Sequence, residues 1–247
     1  MKNTNWLGNL GVAVASLRFG ILALAAFSAP APQAHSQDMQ QRLTEVKQLL
    51  AFNKQALAQY TWMEQQIISI KGEQKKEELY NVRLGPDGRP QKTPIDPDSI
   101  SDSDRQTRGL RGRIKERKIE EYKEYGDSIK TLVGQYIPPD KDMLQQSYQQ
   151  GNVMIGPVGG QPGQYRVVIT NYVKQGDSMT IVMDKASMSL TSLSISTYLS
   201  DPSDAVNVNV QFARIPNGGP SHVATESING VSKKLTVEIL NTNYQHL

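Results

Sequence analysis

The sequence contains no cysteine among its 247 residues. The chain therefore forms no disulfide, binds no metal through a thiolate, uses no cysteine nucleophile and carries no lipid on a cysteine. Histidine is also scarce, with three residues in the whole chain. Because no disulfide can stabilise the chain, its stability depends on its hydrophobic core, and a chain of this length can bury a sizeable one.

Residues 1–36 contain no acidic residue, and they predict a secretory signal peptide. Lys2 and Arg18 precede an apolar stretch at 19–27, which small residues follow up to the expected cleavage after Ser36. The alternative is a membrane anchor beginning at Trp6. Arg18 interrupts that stretch, and the uncharged part falls short of the roughly 20 residues that a spanning helix needs. We therefore expect an exported protein, periplasmic and soluble after cleavage.

An excess of positive charge is likewise missing once the signal peptide is set aside. The full chain has 27 basic and 24 acidic residues, a net charge of +3. Lys2 and Arg18 lie in the signal peptide, which leaves 25 of the 27 basic residues against the same 24 acidic ones, a net charge of +1. The overall charge therefore gives no reason to expect a polyanion as partner, and we expect no nucleic acid.

Enzyme signatures are absent too. The sequence has no HExxH, no GxSxG and no glycine-rich phosphate loop after a strand. Ser221 and His222 are adjacent, on a predicted turn, and adjacent side chains on a strand point to opposite faces, so they do not form a nucleophile and base. His246 lies one residue from the end. The glycine-rich segment 156–163 is interrupted by prolines and predicts a loop. We therefore predict a non-enzymatic protein with no cofactor and no metal.

The first half of the mature chain alternates between helices and strands. Apolar periodicity predicts a helix at 38–59, strands at 60–71 and 74–84, and a turn at Gly85–Gly88. Residues 92–112 are rich in proline, aspartate, serine and glycine, and they predict a mobile loop. A second helix is expected at 113–137 and a third at 140–150, with Asp140 as its cap.

The chain after Asn152 is predicted to be a meander of six or so antiparallel strands. Turn signals recur at 175–177, 184–187, 201–202, 217–220 and 229–230, and the intervals are of strand length. Apolar side chains alternate with polar ones through 206–213 and again through 235–239. One face of the sheet is thus apolar and the other wet. Helices on one face of a curved antiparallel sheet predict an α+β fold.

This order of elements resembles that of the periplasmic lipoprotein carrier superfamily, the LolA/LolB-like fold. The resemblance depends on Leu57–Trp62 at the helix-to-strand junction, on Gly85–Gly88, on the segment Met179–Lys185 and on Leu235–Ile239. It covers residues 37–91 and 152–247. The resemblance implies one domain over residues 37–247, an incomplete antiparallel half-barrel with helices over its apolar side. It also implies a cavity suited to acyl chains.

The alternation of apolar and polar residues predicts which side chains would line such a cavity. A curved sheet with one apolar face must be covered by side chains, helices or a ligand, and flexible methionines suit variable chains. The expected lining is Trp62, Met179, Ile181, Met183, Val206, Val208, Val210, Phe212, Val237 and Ile239. The alternative is that the methionines and Trp62 fill an ordinary core.

A local run of positive charge is the second candidate site. Seven basic residues lie within fourteen positions: Arg105, Arg108, Arg111, Arg113, Lys115, Arg117 and Lys118. They could dock on an anionic membrane surface, where each contributes about 1 kcal/mol. The alternative is a solvated loop and helix face, which the acidic residues that follow at 120, 121 and 124 favour.

The sequence thus predicts an exported, monomeric protein that binds a lipid or a lipidated protein and shelters its acyl chain in an apolar half-barrel. Two alternatives stay open. One is an envelope sensor or protein-interaction module with a self-filled core. The other is a binder of anionic membrane surfaces through the basic run at 105–118.

Overall fold

The computed structural model describes residues 53–86, 88–95, 110–137, 139–187 and 189–247, with the backbone alone for 110–116 and 141. The predicted signal peptide and most of the first predicted helix lie outside these residues. Arg105 and Arg108 lie outside them as well. The end of the first helix is described, and residues 53–57 are helical as predicted.

One antiparallel sheet of ten strands dominates the described chain. Its spatial order is β3-β2-β1-β10-β9-β8-β7-β6-β5-β4, so β3 and β4 are the two edges and the sheet is not closed. The strands are β1 Tyr60–Ile70, β2 Glu73–Leu84, β3 Pro90–Pro94, β4 Val153–Pro157, β5 Gln164–Thr170, β6 Ser178–Asp184, β7 Ser189–Tyr198, β8 Ala205–Arg214, β9 Ser221–Gly230 and β10 Leu235–His246.

The strands β4 to β10 form a simple meander because each connection is too short for anything but a hairpin. The N-terminal strands then join at the far side, where β1 pairs with β10 from Tyr60–His246 to Ile70–Leu235. Asn171, Asn217 and Lys234 adopt positive φ in three of the turns. Asparagine tolerates this conformation, which explains the turn signals in the sequence.

The predicted alternation is confirmed in β8. Val206, Val208 and Val210 are buried, while Asn209 and Gln211 are exposed on the opposite face. We call the face that carries these valines the inner face. Buried side chains from seven strands lie in one register row across it: Ile169, Met179, Ile195, Val208, Ile228, Val237 and Ile68.

Besides the helical residues 53–57, the described part of the chain contains the helices α1 at Leu110–Val133 and α2 at Lys141–Gln149. The side chain of Asp140 caps α2 by accepting hydrogen bonds from the backbone N–H groups of Asp142 and Met143. Helix α1 packs its apolar stripe against the inner face. The α+β class with a curved, open antiparallel sheet is therefore confirmed.

Several predicted boundaries need correction. Residues 92–94 belong to β3 and residues 110–112 to α1, so the loop predicted at 92–112 is shorter at both ends. The meander has seven strands, because part of the glycine-rich segment 156–163 lies in β4. The turn predicted at 229–230 is displaced, since Gly230 ends β9 and the turn occupies 231–234.

Within the described residues no helix is both long enough and apolar enough to span a membrane.

Candidate functional site: the inner face of the sheet

The predicted cavity residues lie on the inner face, and all but one belong to the same cluster. Nine of them belong to a single core cluster, in which Met183 is partly buried and the others are buried: Met179, Ile181, Met183, Val206, Val208, Val210, Phe212, Val237 and Ile239. Trp62 belongs to a second cluster with Tyr80 and Val82. We call the surface formed by the nine residues the apolar section.

Helix α1 covers the apolar section with its own side chains. Its stripe consists of Tyr125, Ile129, Leu132 and Val133, and Tyr136 follows directly after the helix. The spacing of three and four residues places these side chains on one side of the helix. The apolar section is therefore occupied by protein side chains in this structure.

Gly230 allows α1 to approach the sheet closely. A Cβ atom at this position would lie 2.6 Å from Cε1 of Tyr125 and 2.7 Å from Cδ1 of Ile129. Both distances are shorter than carbon atoms tolerate, so any side chain at 230 would push against α1. The glycine thus fixes the distance between the helix and β9.

Polar contacts hold α1 at two points along its length. The hydroxyl of Tyr125 donates to Oδ1 of Asp204 at 2.7 Å, in the turn between β7 and β8. Beyond the end of α1, the hydroxyl of Tyr136 donates to Oδ2 of Asp177 at 2.5 Å and lies 2.7 Å from Oγ1 of Thr197. Burial, and next the bond to Asp177, raise the pKa of Tyr136, so that its hydroxyl remains a donor.

Asp177 is the buried centre of the second anchor. Its carboxylate also accepts the backbone N–H groups of Tyr172 at 2.6 Å, Val173 at 2.9 Å and Lys174 at 2.8 Å. Three backbone donors and one hydroxyl thus converge on one carboxylate. This network ties the turn between β5 and β6 to the end of α1.

The inner face changes character towards β1, β2 and β9. A second register row begins with four buried apolar residues, Val167, Ile181, Leu193 and Val210. The same row continues as Glu226, Ile239, Gln66 and Glu78. Glu64 lies beside this row, two residues before Gln66 on β1. We call Glu64, Gln66, Glu78, Lys92 and Glu226 the polar section.

Lys92 crosses the edge of the sheet to reach Glu64. It belongs to β3, yet its ammonium group pairs with Oε1 of Glu64 on β1 and lies 5.7 Å from the centre of the Tyr80 ring on β2. The Glu64 side chain is 1% exposed and the Lys92 side chain 11%. The Lys92 side chain thus passes over the intervening strand β2 to reach a buried carboxylate two strands away.

Burial raises the pKa of Glu226 well above its ordinary value. The positive charge of Lys92 lowers it and the negative charge of Glu64 raises it, but both effects are smaller than that of burial. Glu226 is 2% exposed, and its Oε1 atom has no hydrogen-bond partner. Burial therefore favours the neutral form of this carboxyl.

The raised pKa of Glu226 predicts a pH-dependent stability. Between the unfolded and the folded pKa, the native state holds a proton that the unfolded chain has lost, so stability falls as pH rises. We expect Glu226→Gln to be more stable than the wild type at pH 7. The difference should grow above the ordinary glutamate pKa by up to about 1.4 kcal/mol per pH unit. Urea denaturation between pH 4 and pH 8 measures it.

Glu238 on β10 provides the matched control, because it is exposed on the opposite face. Glu238→Gln should show no such growth with pH. A difference between Glu226→Gln and the wild type that stays constant from pH 4 to pH 8 would contradict the assignment of a neutral, buried Glu226.

An aromatic group borders the polar section. The rings of Trp62 and Tyr244 stack at 5.5 Å, and that of His222 lies 4.0 Å from Tyr244. Nε1 of Trp62 donates to Oδ1 of Asn241 at 3.1 Å. Burial lowers the pKa of His222 and, with the Glu64 charge, raises that of Tyr244.

The predicted position of His222 on a turn is wrong, because this residue is buried in strand β9.

Sequence reasoning missed the polar section, although a signal was present. In β1 the inner-face positions are Trp62, Glu64, Gln66 and Ile68, and all four are buried. Two polar residues therefore continue an apolar alternation. A buried glutamate in such a position marks a functional candidate, because an isolated buried charge is costly.

The basic run does not form a described site. Arg117 and Lys118 are exposed on α1, and the backbone places Arg111, Arg113 and Lys115 on the same helix. Among the described residues no group of three or more histidine, aspartate or glutamate side chains is arranged to hold a metal ion.

No protein-family model matches the sequence, and no curated protein matches it. Comparison with solved structures finds a DUF1329 family protein from Desulfovibrio piger, with a TM-score of 0.36 and 11% identity over 82% of this chain and 92% of that one. It also finds a LolA superfamily protein from Nitrosomonas europaea, with a TM-score of 0.35 and 8% identity over 81% of this chain and 93% of that one.

Proposed function

We propose that the protein is a non-enzymatic binder of amphiphiles in the cell envelope, which shelters an acyl chain of a lipid or of a lipidated protein on the inner face. The observation that supports this most is the continuous apolar section, which in the described chain is covered chiefly by one amphipathic helix. Movement of α1 away from the sheet would expose the apolar section to a ligand.

The energies of the exchange are comparable. Removing an acyl chain from water contributes roughly 0.8 kcal/mol per CH₂, or about 10 kcal/mol for a chain of about twelve carbons. Exposing the four apolar side chains of α1 itself costs about 2 kcal/mol each, roughly 8 kcal/mol in all. The free energy gained by burying one acyl chain is therefore close to the cost of exposing the α1 side chains, and that gained by burying two chains exceeds this cost. This comparison of free energies favours a ligand with more than one acyl chain.

The polar anchors make the movement a hinge. Tyr136 remains tied to Asp177 beyond the end of α1, whereas the contacts of Tyr125 lie in the middle of the helix. Breaking the contacts of Tyr125 with Asp204 and of Glu121 with Lys233 frees the N-terminal part of α1, while the anchor at Asp177 stays in place. The reaction involves no covalent chemistry.

Binding of an acyl chain is directly testable. We expect protein purified from the envelope to carry lipid, detectable by native mass spectrometry and by solvent extraction. After delipidation it should bind a fluorescent fatty acid saturably, and a two-chain lipid should compete better than a single-chain one. A chain that carries no lipid and binds neither ligand instead favours a sensor or interaction module with a self-filled core.

A further inference from the structure

We propose that the polar section is a binding site for an ammonium group, and that the side chain of Lys92 occupies this site in the unliganded protein. The inference rests on the proposed function and deepens it, because it names the head group of the amphiphile. The occupant is a positively charged amine attached to the acyl chain.

The charges of this part of the inner face do not balance. Glu64, Glu78 and Glu226 supply three carboxylates. Lys92 pairs with Glu64, and Nζ of Lys76 lies 2.8 Å from Oε1 of Glu78. Glu226 has no lysine of its own among the described residues. The three carboxyl groups outnumber the two lysine ammonium groups, so this part of the face favours a cationic head group over a carboxylate or phosphate, which would meet the carboxylates of Glu64 and Glu78.

The unpartnered atoms are all of one kind. Oε2 of Glu64 and Oε1 of Glu226 are buried and accept no hydrogen bond. An ammonium group brings three N–H donors and no acceptor. It therefore matches two waiting acceptors, while the oxygens of an anionic head group would face oxygens. The Tyr80 ring, which already lies beneath the Lys92 ammonium, offers the same cation a favourable face.

The edge strand gives access to this buried place. Strand β3 has five residues, begins and ends with proline, and pairs with β2 alone. Proline supplies no backbone donor to a ladder, and short edge strands open at little cost. Withdrawing β3 removes Lys92 from Glu64 and opens the polar section at the side of the sheet. The ligand ammonium then takes the place of the lysine.

The test compares head groups on one chain length. Dodecylammonium, dodecanol and laurate each displace the fluorescent acyl probe from the full-length protein at pH 7. We expect dodecylammonium to bind at least tenfold more tightly than dodecanol, and laurate to bind more weakly than dodecanol. Glu226→Gln should reduce the ratio of ammonium to alcohol affinity at least fivefold, and Glu238→Gln on the outer face should leave that ratio unchanged.

Lys92→Ala tests the occupancy directly. Because the ligand no longer displaces an internal ammonium, we expect dodecylammonium to bind at least threefold more tightly than to the wild type. If this variant does not fold, ethylammonium added during refolding should restore the fold, since it supplies the missing cation. No recovery with ethylammonium, or unchanged affinity in a folded variant, would overturn the role of Lys92.

The outcomes separate this inference from the function on which it rests. Binding of dodecanol and laurate with no preference for dodecylammonium overturns the ammonium site and leaves acyl binding intact. Binding by none of the three overturns the proposed function itself. A preference for dodecylammonium that survives in Glu226→Gln overturns the assignment of the site to Glu226.

Discussion

Asp177→Ala should cost the protein at least about 3 kcal/mol of its free energy of unfolding. The substitution removes the acceptor of three buried or partly buried backbone N–H groups and leaves the Tyr136 hydroxyl with Thr197 alone. Each unsatisfied donor costs about 1–3 kcal/mol, although water can enter and recover part of it. Since a domain is stable by only about 5–15 kcal/mol, this is a large share. Urea denaturation of wild type and variant at one pH measures the loss.

Two further variants show how much of this stability loss comes from the Tyr136 hydroxyl and how much any aspartate in a turn would cause. Tyr136→Phe removes the hydrogen bonds of its hydroxyl with Asp177 and Thr197 and should cost about 2 kcal/mol. Asp201→Ala is the matched control, because Asp201 lies exposed in the turn before β8 and accepts from the backbone and side chain of Ser203. Its loss should be much smaller than that of Asp177→Ala. An Asp177→Ala protein within 1 kcal/mol of the wild type would show that the network does not anchor α1.

Ile129→Ala should make the protein less stable and yet bind acyl chains more tightly. Ile129 is fully buried between α1 and the sheet, so its truncation costs about 2–5 kcal/mol of folding free energy. If α1 and the acyl chain compete for the apolar section, a weaker helix contact lowers the cost of opening. A difference of 1.4 kcal/mol corresponds to a tenfold change, so we expect at least tenfold tighter binding of the fluorescent fatty acid.

A substitution on the sheet side of the same contact distinguishes competition from general loosening. Val208 is fully buried in the sheet, and Val208→Ala should lower stability without any gain in affinity, because the ligand loses a contact as well. Gly230→Ala should act like Ile129→Ala, since it pushes Tyr125 and Ile129 away while leaving α1 unchanged. Equal or weaker binding by both Ile129→Ala and Gly230→Ala would rule out α1 as the competitor.

The fold could be predicted well from local patterns. Alternation in β8 and turn residues such as Asn171 and Asn217 report on single strands and single turns, and both depend on neighbouring residues only. The pairing of β1 with β10 could not be derived in this way. It joins residues more than 160 positions apart, and the sequence of neither strand indicates which strand it pairs with.

Of the candidate site, too, only the part that depends on local patterns could be predicted from the sequence. The valines of the apolar section follow from period-two alternation. The polar section depends on three strands that are distant in sequence, and only the sheet order brings Glu226 on β9 and Lys92 on β3 towards Glu64 on β1. The histidine content directed attention to Ser221 and His222 as a catalytic pair. The structure instead shows Ser221 bound through its backbone by the side chain of Asn53, and His222 packed on Tyr244.

The junction of β1 with β10 also sets the order in which the chain acquires its structure. The hairpins from β4 to β10 need only local contacts, which form fastest. Once they exist, the chain left to close runs from β3 to β4, about 60 residues in place of nearly 190, and its closure entropy is about 1 kcal/mol smaller. The N-terminal strands therefore dock last, onto a template that exists only after β10 has formed. Glu226 on β9 joins Glu64 and Lys92 only at this final step, so a growing chain has no complete polar section before its last strand has been synthesised.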